Sequence, residues 1–279
     1  MTSEDKVIDE DHTGHEDGSS WTIVIPVYNE KDYILATLQS LSQQSLTGAR
    51  IIVVDNGSTD GSAKLIKAFS TETPSANIEL LHEAEPGQAA ALKKGIEATT
   101  SEFIAICDAD TVYPQFYLKR ASCIYKRGGE KTVAALAFSV PSSSGWANKA
   151  ARLKGRAISA LLRRQCHAGG YAHTFRTKTI KDVGGYDQAL WPYCLKDHEL
   201  VHRVSKKGEL SYDFNFWCLP SDRREDRSDV RWTLFERIMY HATPHAKKDW
   251  FFYDFLMPRF KARSLSELKL RSRRWDKSS

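Results

Sequence analysis

Long apolar runs are missing from this chain of 279 residues. No stretch approaches the roughly 18 uninterrupted apolar residues of a membrane span. The nearest, Thr132 to Val140, is far too short. A soluble or peripheral protein is therefore expected, not an integral one. Cysteine is scarce as well: the five, at 107, 123, 166, 194 and 218, form no C-x-x-C pair and no metal-site spacing. Reduced thiols in a cytoplasmic protein are the expectation, not a disulfide framework. No G-x-G-x-x-G follows the first predicted strand, and G-x-x-x-x-G-K-[ST] occurs nowhere. A dinucleotide-dependent oxidoreductase and a P-loop enzyme both lose support. Residues 1–20 lack an apolar core and carry seven acids against Lys6, so a disordered acidic leader is expected there and a secretory signal is not.

What is present suits one well-buried α/β domain with an appendage: 41% of residues are hydrophobic and 11% aromatic. The net charge of +5 conceals an asymmetry, because the acidic leader leaves +11 on the remainder. Residues 221–279 hold fifteen Lys/Arg against nine Asp/Glu. Anionic lipid head groups, diphosphates or nucleic acid would match such a tail, and so would plain solvation of a helical face.

From Trp21 the pattern alternates strands and helices. Trp21 to Val27, Arg50 to Asp55, Ile78 to Leu81 and Phe103 to Cys107 read as short buried strands. Between them lie a helix opening near Glu30 with Tyr33, Ile34, Leu38 and Leu41 on one face, a helix capped by Thr59 and Asp60, and a helix from Gln88 to Ala98. This alternation predicts a mainly parallel, doubly wound sheet. Ligands of such sheets bind outside the carboxyl ends of the strands. Three polar clusters fall at that edge: Tyr28-Asn29-Glu30, Asp55-Asn56-Gly57-Ser58 and Asp108-Ala109-Asp110. The Asp-x-Asp pair by itself fits a solvated turn. Beside the other two clusters it fits a clamp for a divalent cation, since Mg²⁺ and Mn²⁺ take oxygen ligands.

Five segments together resemble family 2 glycosyltransferases of the GT-A fold: Val24-Ile-Pro-Val-Tyr-Asn-Glu30, Val53-Val-Asp-Asn-Gly-Ser-Thr-Asp60, Ile106-Cys-Asp-Ala-Asp110, Gly184-Gly-Tyr-Asp187 and Lys196-Asp-His-Glu-Leu200. They stand in the family's order and spacing. The resemblance implies a Rossmann-like GT-A domain over residues 21–227 and an inverting transfer of sugar from a nucleotide-sugar donor, most often a UDP-sugar. A saccharide or lipid-linked acceptor is implied, in bacterial envelope or exopolysaccharide synthesis. It implies Pro26, Tyr28, Glu30, Asp55 and Asp108 around the nucleoside. Asp110, with Asp108, would hold Mn²⁺ or Mg²⁺, and Asp197 would be the general base. Gly185, Tyr186 and Trp191 would shape the acceptor side, Trp191 as a sugar platform or as a core residue. Asp197 also suits the N-cap of a helix over His198 to Lys206. Two departures stand out: Gln88 where many members carry Lys, with Lys93 where many carry Asn, and Lys196 where the motif has an acid. Lys93 is thus either a diphosphate contact or a solvated lysine.

Residues 228–279 read as a basic, aromatic helical extension. Ser228-Asp-Val-Arg-Trp232 is similar to the Gln-x-x-Arg-Trp motif of processive synthases, with Ser for Gln. Arg231 and Arg227 become diphosphate candidates and Trp232 an acceptor contact. Trp250-Phe-Phe-Tyr253 with Phe255, Leu256 and Met257 suits either packing on the catalytic domain or docking on an anionic membrane. A cytoplasmic protein, peripheral at the inner face of the membrane, follows from the second reading, and nucleic acid is not an expected partner. The rivals are a sugar nucleotidyltransferase, which needs a glycine-rich basic loop after the first strand, and an inactive nucleotide-sugar-binding scaffold.

Overall fold

The computed structural model describes residues 20–140, 165–167, 169–221 and 232–266, with 150, 153 and 268 as single positions. The expected leader, the boundary at 227/228, Arg227 and Arg231 lie outside the described residues. Strands β1 (Trp21–Val27), β2 (Arg50–Asp55), β3 (Ile78–His82), β4 (Phe103–Ile106), β5 (Thr111–Val112), β6 (Thr132–Ser139), β7 (His173–Arg176) and β8 (Glu209–Pro220) form one sheet in the order β3-β2-β1-β4-β7-β6-β8-β5. The half from β3 to β4 is parallel throughout. Beyond it β7 runs antiparallel to β4 and β6, β8 returns parallel to β6, and β5 pairs antiparallel with β8. The sheet is therefore mixed and mostly parallel. The apolar run at Thr132 is its buried strand β6.

Helices α1 (Ile34–Ser42), α2 (Ser62–Glu72), α3 (Gln88–Ala98) and α4 (Tyr117–Gly128) cover the sheet. Each apolar stripe enters one of two cores. Leu38, Leu41 and Ile66 join Ile23 and Val53 on one face, whereas Leu92 and Ile96 join Val24 and Ile104 on the other. Gly95 permits the second contact, because a Cβ there would lie 3.3 Å from two valine methyls and nearer still to a third. The helix expected to be capped by Thr59 and Asp60 starts later, behind a left-handed Gly61. Asp60 instead accepts the Ser62 N–H at 2.9 Å and the Lys31 N–H at 3.0 Å.

Pro26 sits inside a central strand, where a missing N–H would break a ladder. Cys107 N–H donates to the Val24 carbonyl, and the β1–β4 pairing stops at Val24 and Ile106. Pro26 shares Val24's side of the strand, so its absent donor faces β4 beyond the end of pairing. The two strands part there, which opens the crevice at the switch point of strand order.

Helices α5 (Thr177–Asp182), α6 (Lys196–Ser205) and α7 (Leu234–Ala242) follow, then a π-helical turn (Trp250–Leu256) running into α8 (Met257–Ala262). A third core joins Tyr240, Phe251, Phe252, Leu256 and Phe260 to Trp191, Cys194 and Leu195. The extension is thus packed on the loop before α6. Phe251, Phe252, Phe255 and Leu256 are buried, which corrects the membrane-docking reading of those side chains. None of the five cysteines is in a disulfide.

Lys248 is buried in this third core, its ammonium 3.8 Å from the Tyr240 ring centre and donating to the Tyr240 carbonyl. Burial pushes its pKa from 10.5 down to about 8. Between those values unfolding takes up a proton, so this group's contribution to stability rises with pH through that window. Thermal melts of Lys248→Met should lose that rise relative to the wild type. Parallel pH dependences would show that Lys248 is not titrating in the fold.

Candidate active site

The three polar clusters meet at the carboxyl edge of β1, β2 and β4. The first two are laced together by main chain. Asn29 N–H donates to Ser58 Oγ at 3.0 Å, Thr59 N–H to Asn29 Oδ1 at 2.8 Å, and Glu30 N–H to Ser62 Oγ at 2.8 Å. Asn29 takes a positive φ of 55° to make this turn. Asp55 is buried at the end of β2. Its Oδ1 accepts Ser58 N–H at 3.2 Å, and its Oδ2 lies 3.5 Å from His82 Nδ1. It therefore organises its own turn and does not cap α2. Tyr28 and Glu30 are half-buried beside it.

Asn56 carries the wiring to α3. Its Nδ2 donates to the Glu83 and Glu85 carbonyls at 3.0 and 2.7 Å, and its Oδ1 accepts Gly87 N–H at 2.8 Å. Gln88 follows directly and bridges two elements. Its Nε2 donates to Asp108 Oδ1 at 3.1 Å, and its Oε1 accepts from Lys196 Nζ at 2.9 Å. Lys93, exposed and five residues on, is turned about 140° round α3 from Gln88. No hydrogen bond or ion pair joins it to the site's side chains among the described residues.

Asp108 and Asp110 sit on a loop held from beneath. Thr37 Oγ1 lies 2.9 Å from the Ala109 carbonyl and 3.0 Å from that of Thr111. The Asp108 N–H donates to Tyr113 Oη at 3.0 Å, and the Tyr113 hydroxyl donates to the Tyr171 carbonyl at 2.9 Å. Buried Asp110 accepts from Ser221 Oγ at 2.9 Å, and its carbonyl accepts Ser221 N–H at 2.9 Å. The β5–β8 pairing delivers Ser221 to that position.

Asp197 lies against Gly170, the residue before Tyr171. A Cβ on Gly170 would stand 2.7 Å from Asp197 Cγ and nearer to Oδ1, so only glycine lets the carboxylate settle there. The Tyr186 hydroxyl donates to Asp197 Oδ1 at 2.9 Å. Burial opposes the negative charge and is the largest influence on Asp197. The Lys196 ammonium, His173, the Tyr186 hydrogen bond and His198 together outweigh it and hold the carboxyl below its usual range. Burial keeps His198 neutral at neutral pH, its pKa lowered to about 3. Asp197 is not the N-cap expected for α6. That helix starts at Lys196 behind Leu195, which takes a left-handed φ of 64°. A non-glycine residue there is strained by about 1–3 kcal/mol.

The Gly184-Gly185 pair closes α5. Gly185 N–H reaches the Ile180 carbonyl and Gly184 N–H the Lys181 carbonyl, both at 2.9 Å and both residues at positive φ. The Gly185 carbonyl then accepts from Arg203 at 2.8 Å. Gly185 therefore shapes the turn that presents Tyr186, and Tyr186 is buried with its hydroxyl on Asp197. Trp191 is buried among Phe252, Tyr253 and Phe260 with its Nε1 donating to the Cys194 carbonyl at 2.8 Å. It is a core residue here and not an open sugar platform. Trp232 is half-buried and its ring meets His198 at 5.3 Å, beside Asp197. Sequence reasoning missed Gly170, Tyr113 and Thr37, and it placed Asn56 at this edge without its wiring role. Only the Gly169-Gly170 pair ahead of β7 offered a signal.

The donor chemistry at Asp108 and Asp110 suits a divalent ion: two hard carboxylates without sulfur or imidazole, leaving other positions to phosphate and water. Among the described residues no group of three or more His, Cys, Asp or Glu side chains forms a complete cage.

The family model for glycosyl transferase family 2 matches residues 22–177, more than half of the chain. The chain belongs to that family. The succinoglycan biosynthesis protein ExoA of Rhizobium meliloti is 28% identical over 205 residues, 68% of this chain and 59% of its own length. The Escherichia coli protein YibD, an uncharacterised glycosyltransferase, is 37% identical over 97 residues, 34% of this chain and 28% of its own. The chain thus spans less than two thirds of these relatives. Among solved structures, the mannosyltransferase PcManGT from Pyrobaculum calidifontis, in complex with GDP-Man and Mn²⁺, aligns with a TM-score of 0.65 at 17% identity, over 96% of this chain and 79% of that one. S. aureus TarS 1–349 in complex with UDP-GlcNAc aligns at 0.58 and 16% identity, over 91% and 76%. These likenesses establish the shared GT-A fold.

Replacing Lys196 by Met removes the nearest positive charge from Asp197 and should raise its pKa. Carbon-detected NMR titration of the Asp197 carboxyl in the full chain would show a midpoint moved to higher pH. An unmoved midpoint would contradict the assigned role of Lys196.

Proposed function

We propose that this member of family 2 is an inverting glycosyltransferase that moves a sugar from a nucleotide donor to a saccharide or lipid-linked saccharide. The observation that carries the reading is an ionised, tightly held carboxylate, Asp197, wired to the loop that bears Asp108 and Asp110. A base for hydroxyl deprotonation must be charged and fixed before the acceptor arrives. Tyr186, Gly170 and Lys196 meet both needs.

Pro26, Tyr28, Glu30 and Asp55 form the nucleoside side of the crevice, with the Tyr28 ring suited to stacking and the carboxylates to ribose and base donors. Asp110 and Asp108 would hold Mn²⁺ or Mg²⁺, whose charge would stabilise the departing nucleoside diphosphate. Asp197 removes the proton from the acceptor hydroxyl as its oxygen attacks the anomeric carbon opposite the diphosphate. One displacement of this kind inverts the configuration. The nucleotide sugars bound by PcManGT and TarS support a nucleotide-sugar donor, and UDP is the nucleotide proposed. The name of ExoA supports a role in bacterial exopolysaccharide or envelope synthesis. No helix among the described residues is long and apolar enough to cross a membrane. The proposed setting is the cytoplasmic side, at the membrane's inner face.

Asp197→Asn should leave binding of UDP unchanged while turnover falls by roughly 10²–10⁴-fold. Turnover at the wild-type rate would exclude Asp197 as the base. Asp110→Ala should weaken Mn²⁺-dependent binding of UDP in calorimetry. Wild-type protein with one affinity in Mn²⁺ and in chelator would dismiss the metal.

A further inference from the structure

Helix α7 presents itself in an unusual sense. Its inward face carries Glu236, buried and bonded to Arg263 and to the Thr233 N–H at 2.8 Å, while Tyr240 reaches Cys166. Its outward face carries Leu234, Phe235 and Ile238, exposed to 73%, 56% and 55%. Trp250 extends this face at 45% exposure, because the rings of Phe235 and Trp250 both meet Phe255, at 5.9 and 5.5 Å. Four large apolar side chains on one contiguous surface are too many for a helix that only caps a core.

The charge around them is positive. Arg237 and Lys247 are exposed beside the patch, and the Arg259 guanidinium lies over Phe255 at 3.9 Å. Of the nearby acids among the described residues, Glu236 is committed to Arg263 and exposed Asp249 to Lys206 and His202, while Asp254 is exposed. Residues 232–279 as a whole carry eleven Lys/Arg against five Asp/Glu. Apolar rings at the centre with arginine and lysine around them match a lipid surface with anionic head groups.

We propose that the Leu234–Phe235–Ile238–Trp250 face is a docking surface for an anionic membrane. The surface lies close to the site. Helix α7 starts two residues after Trp232, whose ring meets His198 next to Asp197. A sugar carried on a membrane lipid would therefore meet the base from the side on which the protein is seated. That last link rests on the glycosyl-transfer reading, whereas the docking surface does not.

The test is co-sedimentation of the full-length chain with vesicles of phosphatidylcholine alone and of equal parts phosphatidylcholine and phosphatidylglycerol. Wild-type protein should pellet with the mixed vesicles and remain in solution with the neutral ones. The pair Phe235→Ser and Ile238→Ser, both at exposed positions, should lower the vesicle affinity on the order of tenfold with an unchanged melting temperature. Arg237→Glu should weaken binding to the anionic vesicles. Wild-type protein that stays in the supernatant would overturn the proposal, as would a double variant that binds equally well. Concentration-dependent dimers that the double variant abolishes, without vesicle binding, would assign the face to a second copy of the chain and likewise overturn it. Calorimetry of UDP on the same preparations separates the two readings. Lost nucleotide binding with vesicle binding intact would count against glycosyl transfer alone.

Discussion

The Tyr113 hydroxyl is the point on which the site depends. It accepts from the Asp108 main chain and donates to the Tyr171 carbonyl, joining the loop of Asp108 and Asp110 to the turn that contains Gly170. Gly170 in turn supplies the space that Asp197 occupies. The hydroxyl is enclosed, and burial raises its pKa well above the ordinary phenol value, so it remains a donor at any working pH. Losing it would remove both hydrogen bonds, a cost of about 1 kcal/mol each. The proposed donor clamp, Asp108 and Asp110, and the proposed base, Asp197, are thus positioned by one short chain of hydrogen bonds, closed above by Gln88 between Asp108 and Lys196.

The parallel half of the fold was legible because local burial determines it. Trp21–Val27, Arg50–Asp55 and Gln88–Ala98 appear in the structure with the boundaries their apolar patterns predict. The antiparallel half was not legible, since the pairing of β7 with β4 and β6 joins segments far apart in sequence and leaves no periodic mark. The site divides in the same way. The clusters after β1, β2 and β4 could be placed at one edge by topology alone. Gly170 and Tyr113 act through close approach between distant segments, which residue type does not disclose. The start of α6 was misread because a leucine in the left-handed region takes the N-cap position, against every local preference.

The C-terminal aromatics illustrate how composition misleads without geometry. A run of aromatic residues followed by basic ones suggested a membrane-facing segment, yet most of those rings hold the third core together around Trp191 and Leu195. The outward apolar face belongs to α7, whose sequence is shorter and less aromatic. That core also braces Leu195, the residue whose strained conformation turns the chain into the helix of Asp197.

The proposed reaction is a single displacement in which Asp197 takes the acceptor proton and the leaving diphosphate departs on the opposite side. The most direct test is the anomeric configuration of the newly formed bond, read by proton NMR of the product made from an α-linked nucleotide sugar. The account predicts a β-linked product. An α-linked product would contradict it, because retention requires either a second nucleophile or front-face attack, and Asp197 would then have no part as base.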